Sequence, residues 1–596
     1  MLDIVPPEVL SRIALHVSAE TSLPPVNLLL TSHAIHSSLC ASNNPNLYAS
    51  IFRSSFDVSA AQRRVGGLNA VDLTRELRRR MGALARLGGM VRARDVRGVG
   101  DDQLWVIYVM LIENDGKNLQ HLLAPGGEVH LPTFLRLYHE QHLLAAAVEP
   151  GFPAETVGRS LAIWIAWLLS GYGPRQHEPP EERDERLFVL RPYVFAAQQY
   201  EPYFAPWTMH NLPLSISSPT MPKSNPFIAD LSPKTRRVEI EWYGRRLELS
   251  PPILTHAAIL RFFTKKTPAE IVVAESDPTG PAPLAPIMAV AAAQAAAMGG
   301  LALPGLNPTD MAMDIDDVSD DSSESSGAMD RLTDLVSDSQ LHDRDFERLR
   351  RCFDPLTCLG MPRTAWRGML DGCWEGNFSF FEFEAFREMV AGQSRALYEG
   401  PFGEQAQVWK LKETYVRPIG SARGNKGKGK ASASAKDEAQ TGAKSPTGLP
   451  LNGPMTNAGF PTDQPSSTSA GLASAAAEAA TVRETIQRQV EAIPGFEIVP
   501  DDELDEMLSH PDEEAGLEML LTGTGHSAWG RFILKGRVRA WDGMASLVKE
   551  YAPDSRGKWI YRGYVLAGDV FVGRWRDTFT PEAFVGYEGT FILNRR

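Results

Sequence analysis

The chain has 596 residues, of which 43% are hydrophobic and 22% charged, and its formal net charge is −13. That length accommodates about three or four domains, and the composition supports at least one large core. The acidic balance argues against nucleic acid as a principal partner, and four cysteines are too few for a disulfide-stapled fold.

The N-terminal stretch D-I-V-P-P-E-V-L-S-R-I-A-L-H-V predicts a helix with prolines ahead of or inside its first turn, where a missing N–H costs nothing. Glu8 follows, favoured by the positive helix end. Val9, Leu10, Ile13 and Val17 then line one face. A second apolar segment runs through Leu23, Val26, Leu29, Leu30, Ile35 and Leu39. A third carries Leu47, Tyr48, Ile51 and Phe52. Three short helices hold more apolar surface than some fifty residues can bury alone. The surplus is expected to meet the next helices or another protein.

Leu73, Leu77, Met81, Leu84 and Leu87 recur at helical spacing and predict a long amphipathic helix. The segment D-D-Q-L-W-V-I-Y-V-M-L-I-E-N-D-G reads as a buried helix opening on aspartates and closing on Gly116. Further helices are expected at 131–147, 156–171 and 184–199. L-A-I-W-I-A-W-L-L at 161–169 is short for a bilayer and reads as a buried helix. V-E-I-E-W-Y-G-R-R-L-E-L alternates with period two around Tyr-Gly and predicts a hairpin. P-P-I-L-T-H-A-A-I-L-R-F-F then predicts a helix with proline in its first turn. With no basic stretch leading an apolar one at the start, no signal peptide is expected, and the chain reads as cytoplasmic and/or nuclear with no membrane segment.

Residues 275–327 pass from Pro/Ala/Gly-rich sequence into an acidic serine run, and 418–480 are rich in Gly, Lys, Ser, Ala and Pro. Both are expected to be disordered, because they hold too few large apolar residues to offset ordering entropy. Between and beyond them, 328–417 and 482–596 carry short glycine-punctuated strands with aromatic and β-branched residues, about seven in all. Neither block has many strands alone, so the two are expected to form one antiparallel β-barrel or sandwich interrupted by the insertion. Trp374–Gly376–Phe378, Trp529–Gly530–Phe532 and Gly589–Thr590–Phe591 make a loose internal echo. The fold class is therefore α+β and multidomain: helices over 1–56 and 57–274 (with a hairpin near 238–249), the 275–327 linker, and a β-domain over 328–417 and 482–596.

Val5-Pro6-Pro7-Glu8, Leu10-x-x-Ile13, Leu23, Leu29-Leu30-x-Ser32 and Pro45-x-Leu47-Tyr48 follow one another in the order of an F-box, which residues 2–56 resemble. Here valine replaces the usual leucine before proline, tyrosine replaces tryptophan, and the Cys-Arg-x-x-Trp element of the second helix is missing. The chain as a whole resembles a group of fungal F-box proteins, through Glu113-x-Asp115-Gly116-x-Asn118, a late G-R-W-R and the terminal G-Y-E-G-x-F. The resemblance implies docking on a Skp-type adaptor of a cullin-RING (SCF-type) ubiquitin ligase, with no chemistry or cofactor of its own. The remainder of the chain would then select a protein substrate. The residues it assigns to the adaptor are Val5, Pro6, Pro7, Glu8, Val9, Leu10, Ile13, Leu29, Leu47 and Tyr48.

Gly372-x-Trp374 is similar to the opening of lipocalin-like barrels, in which the tryptophan closes one end beside an arginine. Arg574 or Arg576 of G-R-W-R is the candidate partner. Trp374, Phe378, Phe380, Trp529, Arg574 and Trp575 are the candidate substrate or ligand residues. The alternative functions are a small-ligand barrel, which a barrel filled by Phe378, Phe380, Trp529 and Phe571 would remove, and an F-box scaffold acting outside a ligase. Gly525-His526-Ser527 resembles a hydrolase elbow, but the second glycine falls one position late and strand sequence follows. Cys352, Cys358 and Cys373 could meet a histidine such as His526 around zinc, but reduced, partly buried thiols are the expected state. The arginines at 75, 78, 79, 80, 86, 92, 94 and 97 are expected on a solvated helix face, with pairing to the acidic run 501–514 as the alternative.

Overall fold

A computed structural model describes residues 5–21, 24–123, 129–171, 179–201, 236–263, 338–418, 496–509, 517–551, 557–580 and 584–596. The expected disordered segment 275–327, with the acidic serines Ser319, Ser322, Ser323 and Ser325, lies outside the described residues, as does 418–480 apart from Pro418, which ends a strand. Residues 417–498 form a separate unit; within it, Arg417 Nε donates to Glu497 Oε1 at 2.5 Å. The other unit comprises residues 1–416 and 499–596.

Its N-terminal part is helical. Helix α1 (Pro7–Thr21) is followed by the single turn α2 (Val26–Leu29), then α3 (His33–Leu39) and α4 (Pro45–Ser55). Ser32 Oγ accepts from the backbone N–H of Ile35 and starts α3, and Asn44 Oδ1 accepts from that of Leu47 and starts α4. Each satisfies a donor that the first helical turn leaves open. Next come α5 (Ser59–Val65), α6 (Ala70–Ala93), α7 (Asp101–Ile112), α8 (Lys117–Leu123) and α9 (Leu131–Tyr138). An Asn69/Asp72 capping box opens α6. Leu73, Leu77, Leu84 and Leu87 are buried as the periodicity predicts, with Met81 half-buried at the margin.

The predicted helix 131–147 contains a π-turn at His139–Leu144. That turn lets Gln141 bridge the loop after α6, accepting from Val96 N–H and donating to Arg94 O. Gly116 is not the cap of α7, which ends at Ile112. It sits in the following turn with φ of 116°. Helices α10 (Val157–Ser170), α11 (Pro180–Phe195) and α12 (Leu254–Phe262) complete this layer. Pro251 and Pro252 precede α12 rather than entering its first turn; Ser160 Oγ donates to the carbonyl of Pro252. Among the described residues no helix is long and apolar enough to cross a membrane.

The predicted hairpin pairs β1 (Val238–Trp242) with β2 (Arg245–Leu249). Its two turn residues, Tyr243 and Gly244, have φ of 47° and 71°, the combination that matches strand twist in a two-residue loop. The hairpin delivers Tyr243 into the helical core beside Arg80.

The β-domain is a closed barrel of eight antiparallel strands, not a sandwich. Its strands are β3 (Gly372–Phe381), β4 (Phe402–Pro418), β5 (Glu518–Ser527), β6 (Gly530–Val538), β7 (Ala545–Tyr551), β8 (Lys558–Leu566), β9 (Val570–Asp577) and β10 (Glu588–Arg595). Each pairs with the next in the chain. β10 returns to β3, with Phe591 opposite Phe378, so no barrel edge is left open. The two sequence blocks thus share one sheet. Alternate residues fill the interior: Trp374, Trp409, Phe532, Tyr561, Phe571 and Phe591 are all buried there. The outer face of β9 and β10 packs on α11 and α12, and Val572, Tyr564 and Leu566 belong to the same core as the helices.

Candidate functional site

In α1, two neighbouring rows of side chains divide the work. Leu10, Ala14 and Ser18 are four residues apart and buried, packed toward α3 and α4. One position earlier, Val9, Ile13 and Val17 are 45%, 36% and 40% exposed. Val26 and Leu30, in and just after α2, are 52% and 77% exposed. These five large apolar residues fall within 22 positions. Single exposed apolar residues need no explanation, but a concentration of this kind does.

The residues read as adaptor contacts therefore separate. Val9 and Ile13 face outward, Pro6, Pro7 and Glu8 are exposed, and Val5 and Leu29 are half-buried. Leu10, Leu47 and Tyr48 face inward and hold the helices together rather than offering side chains to a partner. Val17, Val26 and Leu30, apolar in sequence but outside the expected contact set, are exposed as well. Val17 lies four residues past Ile13, which was the available signal for it; Val26 and Leu30 belong to the next turn of helix and its end.

The Glu113-x-Asp115-Gly116-x-Asn118 motif is a structural junction. Arg80 is fully buried. Its Nε donates to Glu76 Oε1 at 3.0 Å, its Nη2 to Glu113 Oε2 at 2.5 Å and to the Tyr243 hydroxyl at 3.0 Å, and its Nη1 to Asn118 Oδ1 at 3.2 Å. Trp242 Nε1 donates to the other oxygen of Glu113 at 2.8 Å. The rings of Phe52 and Phe56 flank the guanidinium at 5.2 and 5.4 Å. Burial pushes the Glu76 carboxyl up, but Arg79 and Arg80 outweigh it, and the group lies below its ordinary range. Asp57 Oδ2 accepts from the N–H groups of Asp115 and Asn118, and Asp115 binds Ser339. The motif thus ties α4, α6, α7 and the hairpin together. Arg80 corrects the reading of the arginine cluster as wholly solvated: Arg75, Arg78, Arg86, Arg92, Arg94 and Arg97 are exposed, but Arg80 is not. Arg79 pairs with Glu76. In the acidic run, Asp505 binds Arg367, which lies outside this cluster.

In the barrel, Trp374 is buried and its Nε1 donates to Leu370 O at 3.0 Å. The arginine over its ring is Arg595 of β10, at 5.1 Å, and neither Arg574 nor Arg576 takes that place. Along β9 side chains alternate, so Trp575 enters the barrel while Arg574 and Arg576 point away from it. Arg574 reaches Glu588 Oε1 at 3.3 Å and the carbonyl of Tyr193 at 2.8 Å, so it joins barrel to helix α11. Arg576 donates to the carbonyls of Thr580 and Phe584. Burial pushes the Glu588 carboxyl up to about 7, and Arg574 and the N–H of Gln198 only partly oppose it.

Phe378, Phe380 and Trp529 do come together, with Phe378–Trp529 ring centroids 5.2 Å apart and Phe380–Trp529 6.1 Å apart. Phe571 is buried deeper in the same core. This part of the barrel is filled by the side chains that would otherwise line a pocket. Gly525-His526-Ser527 ends β5, and Ala528 and Trp529 form a two-residue turn into β6, opposite in kind to a strand-to-helix elbow. Cys352 is buried and Cys373 exposed. Among the described residues, no group of three His, Cys, Asp or Glu side chains is placed to hold a metal. No family model, curated protein or solved structure matches the chain significantly.

Proposed function

We propose that this chain is the substrate-receptor subunit of an SCF-type cullin-RING ubiquitin ligase, non-catalytic itself, which docks on a Skp-type adaptor through residues 2–56. The observation that carries the reading is the outward row Val9–Ile13–Val17, continued by Val26 and Leu30, on helices whose sequence follows F-box order. An apolar row at four-residue spacing is what a helix offers to a groove in a partner. The β-domain is the part left to hold a target, and the mechanism is proximity: a bound substrate is kept at high effective concentration near a ubiquitin-loaded enzyme.

We read the barrel as lipocalin-like in build. Three features support this: the chain-order meander of strands, the 3-10 turn Arg363–Trp366 ahead of Gly372-x-Trp374, and Arg595 from the last strand over Trp374. Its filled interior favours recognition of a protein at its surface over storage of a small molecule.

Affinity purification of the full chain followed by mass spectrometry tests the proposal. Adaptor and cullin are expected among the partners of the wild type and absent from a Val9→Asp/Ile13→Asp variant. Their absence from the wild type would remove the ligase reading and leave a scaffold outside any ligase.

A further inference from the structure

Along the outer face of α6, arginines follow one another at helical spacing. Arg75, Arg78, Arg86 and Arg92 are exposed. Arg79 and Arg80 pair with Glu76, and Arg97 pairs with Asp95. Among the described residues no carboxylate pairs with Arg75, Arg78, Arg86 or Arg92. Like charges at this spacing on one helix repel, so the face is destabilising as it stands. Gly82 separates Arg78 from Arg86, and Gly89 separates Arg86 from Arg92. A Cβ at either glycine would meet nothing within 4 Å. The result is an open cationic strip along a helix of 24 residues, about 36 Å long.

The chain as a whole carries a net charge of −13, and part of that excess is concentrated. Residues 310–324 hold six Asp, one Glu and no Lys or Arg. The other acidic run, 501–514, is engaged elsewhere, with Asp505 on Arg367. Chain length also fits. The described residues resume at Asp338. There Ser339 Oγ accepts from Arg63 Nη2 at 2.9 Å, and Asp343 binds both Arg63 and Arg64. These arginines belong to α5, the helix directly before α6. The stretch from Glu324 to Asp338 spans up to roughly 45 Å when extended, so the acidic run can reach any point of α6.

We propose that the acidic run 310–324 docks on the Arg75–Arg78–Arg86–Arg92 strip of α6. The contact is ionic, carboxylate to guanidinium, and each such pair is worth little alone at a surface. Tethering supplies the rest: with one end of the run held at α5, its concentration at α6 is about millimolar. Salt weakens a contact of this kind. The strip uses no residue of 2–56, so the inference does not rest on the adaptor reading.

The test maps arginine reactivity in the full chain with phenylglyoxal, followed by peptide mass spectrometry. The wild type is compared with a variant carrying Asp316→Asn, Asp317→Asn, Asp320→Asn, Asp321→Asn and Glu324→Gln. Arg136, exposed on α9, is the internal reference. Arg75, Arg78 and Arg86 are expected to react about threefold or more slower in the wild type, the protection that two-thirds occupancy gives. The difference is expected to vanish at about 0.5 M salt, while Arg136 reacts alike in both proteins. A second variant reads the other partner. Arg75→Gln/Arg78→Gln/Arg86→Gln alters only exposed positions and is expected to speed cleavage by endoproteinase Asp-N within 314–321. If the three arginines react alike in wild type and neutralised variant, the proposal is overturned: both fast means a solvated face, both slow means that another segment or a second copy covers it. Unchanged Asp-N cleavage in the arginine variant overturns it as well.

Discussion

In helix α1, Leu10 and Ala14 are buried while Val9 and Ile13, one position earlier, are left to solvent. In strand β7, Leu547, Lys549 and Tyr551 all turn into the barrel and all are buried. The helix leaves one apolar row partly exposed beside another that is buried. The barrel packs its interior with aromatic side chains, to the point of enclosing the amine of Lys549. The N-terminal helices cover their inner surface and present a surplus, as an interaction module would. The barrel consumes its own aromatic surface, so whatever it holds as a receptor must be held by its outside or its rim.

The sharpest way to break this contrast is to empty the barrel. Trp409 is fully buried and meets Tyr561, Phe571 and Phe591 at ring distances of 5.0, 6.1 and 6.0 Å. Trp409→Ala should cost about 3–5 kcal/mol, the range for large aromatic truncations in cores. Urea denaturation followed by tryptophan fluorescence measures it. A cost near zero would mean the interior is not packed as described.

Arg80→Met probes the helical side on a comparable scale. Removing one partner of a buried ionic cluster leaves Glu76 and Glu113 uncompensated, at about 3–5 kcal/mol. Part of that cost should return if Glu113→Gln is added, since one orphaned charge then disappears. A double-mutant cycle on thermal unfolding gives the answer.

Glu588 gives a smaller, pH-dependent effect at the seam between barrel and helix α11. Its folded-state carboxyl is raised to about 7 by burial. The folded state therefore binds the proton more tightly than the unfolded state. The corresponding stability is present at acid pH below the unfolded value and is lost as pH rises through about 7. Glu518 is raised in the same direction by burial. Stability should thus fall between pH 5 and 8, and Glu588→Gln should remove a measurable share of that slope, at most about 3 kcal/mol. An unchanged slope in the variant would show that Glu588 is charged throughout.

Much of the secondary structure was legible from periodicity. The α6 face, the 238–249 hairpin and the strand-rich blocks all follow from spacings of 3.6 or 2. Closure of the two blocks into one barrel could be argued from strand number but not fixed, since the pairing of β4 with β5 spans a hundred residues of chain. What failed was orientation around an element. Arg574 and Arg595 are both arginines on late strands, and only register decides that Arg595 lies over Trp374 while Arg574 reaches Tyr193. Arg80 looked like the six exposed arginines of its run, and one partner that meets it in the core, Tyr243, is 163 residues away. Among the adaptor residues, Leu10 and Ile13 share one apolar stripe in sequence, yet a rotation of one row puts the first inside and the second outside.

That rotation sets the smallest predicted stability change and the largest predicted binding change. Because Val9 and Ile13 are exposed, Val9→Asp/Ile13→Asp should alter unfolding free energy by about 0.5 kcal/mol or less per site. Leu10→Asp, by contrast, should disrupt the helical unit. The most direct measurement is the affinity of the purified full chain for a purified Skp-type adaptor, by titration calorimetry, for wild type and Val9→Asp/Ile13→Asp. The account predicts a measurable complex with the wild type and loss of binding in the variant with its circular dichroism unchanged. Equal affinity for both proteins would contradict the outward row as the docking surface.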